Sequence, residues 1–118
     1  MPQITVEYSA ELSDAFDRRA FALALHETVG PLVSAEVAAF KTRFRQIEES
    51  VIGDGSAAAM IHVRVGLLTG RSVELKQEVG RVSLGIAQEH LKPVEGLPTQ
   101  VTLEVYDMDR EQYQKVVL

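Results

Sequence analysis

The 118-residue chain contains no cysteine and no tryptophan, only four prolines, and 6% aromatic residues. Without cysteine there can be no disulfide, thiol nucleophile, iron-sulfur cluster or thiolate zinc site. The longest apolar stretches, Ala20 to Leu25 and Ala57 to Ile61, fall far short of the roughly 18 residues a membrane span needs. Met1 to Leu12 carry Glu7 and no basic region, so they do not read as a signal peptide, and the expectation is a soluble, cytoplasmic protein. Cations are outnumbered too: 12 Lys and Arg against 17 Asp and Glu give a net charge of −5, which argues against a nucleic-acid partner.

What is present is a globular composition, 46% hydrophobic and 25% charged, at a length that suits a single domain spanning 1–118. From Pro2 to Tyr8 the side chains alternate, with Ile4, Val6 and Tyr8 on one side and Thr5 and Glu7 on the other, which is strand periodicity. The period then becomes helical through Phe16, Ala20, Leu23 and Ala24, with Ser13 or Asp14 as N-cap and Gly30-Pro31 as the stop. Phe40 to Ile47 alternates again. A turn at Gly53-Asp54-Gly55-Ser56 precedes a third strand, Met60 to Leu67. Ser72 opens a second helix with an apolar face of Leu75, Val79, Val82 and Ile86, closed by Pro93 and Gly96. Val101, Leu103 and Val105 mark the last strand.

Strand, helix, strand is thus written twice, over about 2–50 and 58–108, followed by a C-terminal tail. Each copy is a βαβ unit with parallel strands and a right-handed crossover. The expected fold is α+β: a four-stranded mixed sheet with both helices on one face. Its open face would carry Thr5, Glu7, Lys41, Arg43, Arg45, His62, Arg64, Thr102, Glu104 and Tyr106. That surface is either a solvated face with cross-strand ion pairs or a face turned toward partner subunits.

Common catalytic signatures are missing: no glycine-rich phosphate loop, no Gly-x-Ser-x-Gly and no His-Glu-x-x-His. His26, His62 and His90 are scattered over separate elements, and Asp107-Met108-Asp109 reads as a charged strand exit, not a metal loop. Pro2 is the unusual residue. A small residue at position two permits removal of Met1, leaving a secondary amine at the head of a strand. An α-amino group has a pKa of about 7.7 to 8.0, lower when desolvated, so it can act as a base near neutral pH. Parallel pairing brings Lys41 to the same sheet edge. If the two units pack antiparallel, Arg71 arrives there as well, beside the anion-attracting N-terminus of the second helix.

The start Met1-Pro2-Gln3-Ile4-Thr5-Val6-Glu7-Tyr8-Ser9, the doubled βαβ plan, and Ile61-His62-Val63-Arg64-Val65 through Gly70-Arg71-Ser72-Val73-Glu74 resemble the 5-carboxymethyl-2-hydroxymuconate isomerase family of the tautomerase superfamily. The resemblance implies a cofactor-independent isomerase of aromatic catabolism, assembled as a homotrimer, converting a 2-hydroxymuconate-type dienol to its 2-oxo isomer. Pro2 would be the general base, and Arg71 would hold a carboxylate. Lys41 stands where the family would place arginine, with Arg43 two residues later on the same face. A lysine holds a carboxylate as a point charge, without the bidentate fork. The same βαββαβ order also suits a ferredoxin-like binding module without catalysis, and the same proline could serve a divergent superfamily enzyme on another enol.

Overall fold

Alternating β-branched residues form the strands where the sequence pattern places them, and a computed structural model describes all 118 residues. The strands are β1 (Gln3–Ser9), β2 (Lys41–Ile47), β3 (Ala59–Leu68) and β4 (Thr99–Met108), and the helices are α1 (Arg18–Val33) and α2 (Val73–Glu89). The sheet order is β2-β1-β3-β4. β1 pairs parallel to β2 and antiparallel to β3, and β3 pairs parallel to β4. The fold is therefore α+β, with two βαβ units joined antiparallel through β1 and β3. In a ferredoxin-like split βαβ another strand would lie between β1 and β2. Here those two are hydrogen-bonded neighbours, from Gln3 opposite Lys41 to Ser9 opposite Ile47.

The core lies between the sheet and the helices. Ile4, Val6 and Tyr8 of β1 and Ile61, Val63, Val65 and Leu67 of β3 are buried on one face. Phe21, Leu25, Val29 and Val33 of α1 and Val79, Ile86 and Ala87 of α2 cover them. The α1 stripe differs from the sequence expectation: spacing of four through Phe21, Leu25, Val29 and Val33 puts those residues inside, whereas Leu23 is 46% exposed. For α2 the expected face holds, with Val79 and Ile86 buried and Leu75 and Val82 half-buried.

The ends of α1 also depart from the pattern. Its N-cap is Asp17, whose side chain accepts from the Ala20 amide, and not Ser13 or Asp14. The preceding residues are recruited by a distant segment: Phe16 bridges Leu91, the Asp17 amide donates to His90 O, and the Lys92 amide donates to Ala15 O. At the other end the helix runs through Gly30-Pro31 to Val33 and stops at Ser34, in the left-handed region at φ 55°. Pro31 sits in the last turn, where its missing N–H costs a single helical bond. Gly30 admits the reversal, because a Cβ there would lie 3.0 Å from the Ala35 carbonyl. α2 opens as read, with Ser72 Oγ accepting from the Leu75 amide at 3.1 Å. It ends at Glu89, before Pro93 and Gly96, with the His90 Nδ1 hydrogen-bonded to Ile86 O.

The open sheet face is tied across strands. Arg45 lies 3.7 Å from Glu7, and Glu104 receives both His62 Nε2 at 2.8 Å and Arg64 Nε at 3.4 Å. Because the Glu104 carboxylate only accepts, His62 Nε2 carries the proton in that contact. Those partners, His62 first, hold the Glu104 carboxyl below its ordinary pKa.

Candidate active site

The strand directions decide what meets at each end of the sheet. The beginnings of β1 and β2 share one edge with the ends of β3 and β4, since Gln3 pairs with both Lys41 and Gly66. Pro2 lies at that edge, its side chain fully buried, and its carbonyl accepts from the Lys41 amide at 3.2 Å.

Around the amino terminus the charges are of one sign. The Met1 amine has its pKa lowered from 8.0, first by burial and then by the positive fields of Arg71, Lys41, Lys115 and Arg110. Both causes disfavour the ammonium form and leave more free base near neutrality.

Arg71 is held firmly. Its Nη1 donates to Leu68 O at 2.9 Å and its Nη2 to Val33 O at 2.8 Å, so the guanidinium bridges the loop after β3 and the C-terminal end of α1. Gly70, at φ 119°, makes the turn that leads into it. Lys41 is exposed, with Nζ donating to Ala39 O at 3.1 Å. Arg43 is not part of the group acting on the amine. It lies further along β2 on the open face, where Nη1 donates to Thr5 Oγ1 at 3.2 Å and Nη2 to Gln3 Oε1.

Two cations in the cluster come from the tail, which the repeat pattern did not reach. Arg110 donates through Nε and Nη2 to Thr69 O at 3.1 and 3.0 Å. Lys115 Nζ lies 3.8 Å from Met1 Sδ. Tyr113 accepts at its hydroxyl from Gln3 Nε2 at 3.0 Å, across 110 residues of sequence. The only sequence signal was the presence of two bases, Arg110 and Lys115, in a tail whose other residues are acidic, neutral polar or apolar; their destination depends on the fold.

The histidines stay apart. His26 Nε2 shares a 2.7 Å hydrogen bond with Thr42 Oγ1, with its ring 5.0 Å from that of Phe40, and burial pushes its pKa down. No group of three His, Asp or Glu side chains is arranged to hold a metal ion. The most extensive of the five main clefts, about 720 Å³, lies by the starts of β3 and β4 and includes Leu91, Val94, Leu97 and Val101. None of the five includes Pro2, Lys41 or Arg71.

A sequence profile of the 5-carboxymethyl-2-hydroxymuconate isomerase family matches residues 2–116. The chain belongs to that family. Membership makes it an isomerase, and decides against the non-catalytic binding module. Among solved structures it is similar to a 5-carboxymethyl-2-hydroxymuconate isomerase from Deinococcus radiodurans R1, at 20% identity and a TM-score of 0.85, over 98% of this chain and 88% of that one. It is similar to a 5-carboxymethyl-2-hydroxymuconate delta-isomerase at 15% identity and a TM-score of 0.81, over 99% and 88% of the two chains. A fused 4-OT wild-type symmetric trimer, Q0, matches at 22% identity and a TM-score of 0.71, over 92% and 87%. These likenesses carry the fold. No protein with a curated description matches the chain significantly. No helix of the isomerase is long and apolar enough to cross a membrane.

Proposed function

We propose that the isomerase, with Met1 removed, uses the Pro2 amine as the base that converts a 2-hydroxymuconate-type dienol, such as 5-carboxymethyl-2-hydroxymuconate, to its 2-oxo isomer. The observation that carries this reading is the partly buried Met1 amine among Arg71, Lys41, Lys115 and Arg110, where the free base is favoured; removal of Met1 puts the Pro2 amine at the same edge. The neutral nitrogen takes the proton of the 2-hydroxyl; the O–H pair becomes the C=O bond as the double bonds shift. The prolinium then gives the same proton to a carbon further along the conjugated chain. Nothing is oxidised or reduced, so a proton carrier suffices.

Arg71 binds the carboxylate beside the 2-oxygen and stabilises negative charge developing there, its guanidinium already positioned by two carbonyls. Lys41 offers a second charge at the same edge, with Arg43 two residues further along β2. The local cluster matters because the chain as a whole, at −5, repels an anionic substrate. The active form we propose is a homotrimer in the cytoplasm. The likeness to a symmetric trimer supports a pocket completed by a neighbouring subunit.

Ultraviolet-monitored ketonisation of 2-hydroxymuconate and of 5-carboxymethyl-2-hydroxymuconate, by protein shown by mass to begin at Pro2, tests the reading. A rate far above buffer, lost in Pro2→Ala and in protein retaining Met1, is the expected result. Equal rates with and without Met1 would end it, since an acylated proline nitrogen is no base. Light scattering should give three times the 13.0 kDa chain mass.

A further inference from the structure

The cations at the amino-terminal edge differ in what they are already doing. Arg71 is committed to the Leu68 and Val33 carbonyls, Arg110 to Thr69 O, Lys41 to Ala39 O, and Arg43 to Thr5 and Gln3. Lys115 has no oxygen partner. Its single polar contact is the thioether of Met1 at 3.8 Å, and a thioether is a weak acceptor for an ammonium that carries three donors.

The tail does not reach that position loosely. The Arg110 amide donates to Thr69 Oγ1 at 3.3 Å, and the Arg110 guanidinium fastens the same residue from the other side. The Glu111 and Gln112 amides then donate to the side chain and carbonyl of Asp109 at 2.9 and 3.0 Å, turning the chain back. Gln3 pins Tyr113 at 3.0 Å. These bonds bring Lys115 over the residue that precedes Pro2.

We propose that Lys115 is a specificity-determining residue of the substrate site, holding a second carboxylate at the far end of the dienol while Arg71 holds the first. This rests on the reading of Pro2 as the reacting amine. Removal of Met1 takes away the thioether, the one polar contact of Nζ, and leaves the ammonium unpaired at the edge where the Pro2 amine is then freed. A dicarboxylate laid along that edge supplies the anion that Lys115 lacks; a monocarboxylate does not. The residue does not move protons, so its effect belongs to binding and selectivity.

The test uses the full chain beginning at Pro2 and two conjugated acids that cannot ketonise, muconate with two carboxylates and sorbate with one. Titration by calorimetry or by amide NMR gives both affinities. The unmodified chain should bind muconate more tightly than sorbate. Lys115→Gln should weaken muconate about two- to fivefold, the upper part of the range for an exposed ion pair, and leave sorbate unchanged. Lys115→Arg should restore muconate binding. Equal loss for both acids, no loss for either, or no preference in the unmodified chain would overturn the proposal. Dienol turnover on the same samples separates the two readings. Muconate selectivity without turnover refutes the proline base and retains Lys115; turnover without selectivity does the reverse.

Discussion

Arg71 Nη2 donates to the carbonyl of Val33 at 2.8 Å, joining the loop after β3 of one βαβ unit to the last turn of α1 in the other. The bond places a cation at the negative end of a helix and orients the guanidinium whose field reaches the amino terminus. Arg71→Ala should therefore damage stability and catalysis together. Hydrogen bonds from a charged group are worth about 1 to 3 kcal/mol, which sets the expected loss of unfolding free energy in urea. Turnover should fall and KM rise. Arg71→Lys keeps the charge but cannot reach both carbonyls in the fixed fork geometry, so it should recover only part of either quantity. Unchanged kinetics in Arg71→Ala would remove the residue from the site.

The amine's environment gives a pH dependence with a definite sign. A protonated amine is no base, so kcat/KM rises with pH through the amine's pKa and is flat above it. Burial and the four nearby cations lower the pKa of the Met1 amine from 8.0, and the Pro2 amine left by Met1 removal stands at the same edge, so the midpoint of the rise should lie below 8.0. Lys41→Met removes one positive field and should move the limb upward, toward 8.0. Burial is the larger cause, so the profile should not return fully to the exposed value. A limb that moves downward in Lys41→Met, or stays in place, would contradict the electrostatic account.

The strands and α2 were legible because their signals are local. Alternation in β1 and β3 and the serine cap at Ser72 each need only a few neighbouring residues to act. The start of α1 was not legible, because Ser13 and Asp14 are sound caps that lose to the Phe16–Leu91 bridge, which is formed with residues far along the chain. For the candidate site, Pro2, Lys41 and the Arg71 loop come to one sheet edge because pairing direction follows from βαβ connectivity, whereas the positions of Arg110 and Lys115 depend on how the tail folds back onto Thr69 and Gln3. Arg43 shows the remaining difficulty. Two residues on one strand face share a pattern, yet hydrogen bonding to Thr5 and Gln3 separates Arg43 from Lys41.

Gly66 leaves room for the hydroxyl end of Tyr106, its register partner on β4. A Cβ at this position would stand 2.7 Å from the Tyr106 hydroxyl oxygen and 2.8 Å from Cζ, while the Arg64 guanidinium sits 4.3 Å from the ring centroid. Gly66→Ala should push Tyr106 aside and weaken that cation–π contact, costing about 1 to 3 kcal/mol as overpacking does. Adding Tyr106→Ala should remove the tightest contacts and leave only the 3.0 Å approach to the flexible Met108 Sδ, so the double variant should be more stable than the sum of the single losses allows. Urea unfolding of the four proteins checks this, and strict additivity would show that the ring is not the obstacle.

Ser83 offers the opposite case, a change expected to help. It lies fully buried on the inner face of α2, and its hydroxyl has no hydrogen-bond partner. An unpaired buried hydroxyl keeps its desolvation penalty with no compensating bond, and serine is a poorer helix former than alanine. Ser83→Ala leaves the backbone and most of the packing in place, and should raise the unfolding free energy by about 0.5 to 2 kcal/mol. Position 83 is on α2, away from the amino-terminal edge, so kcat and KM should be unchanged. A loss of stability would mean that the hydroxyl has a partner in solution, and amide exchange along α2 would then locate it.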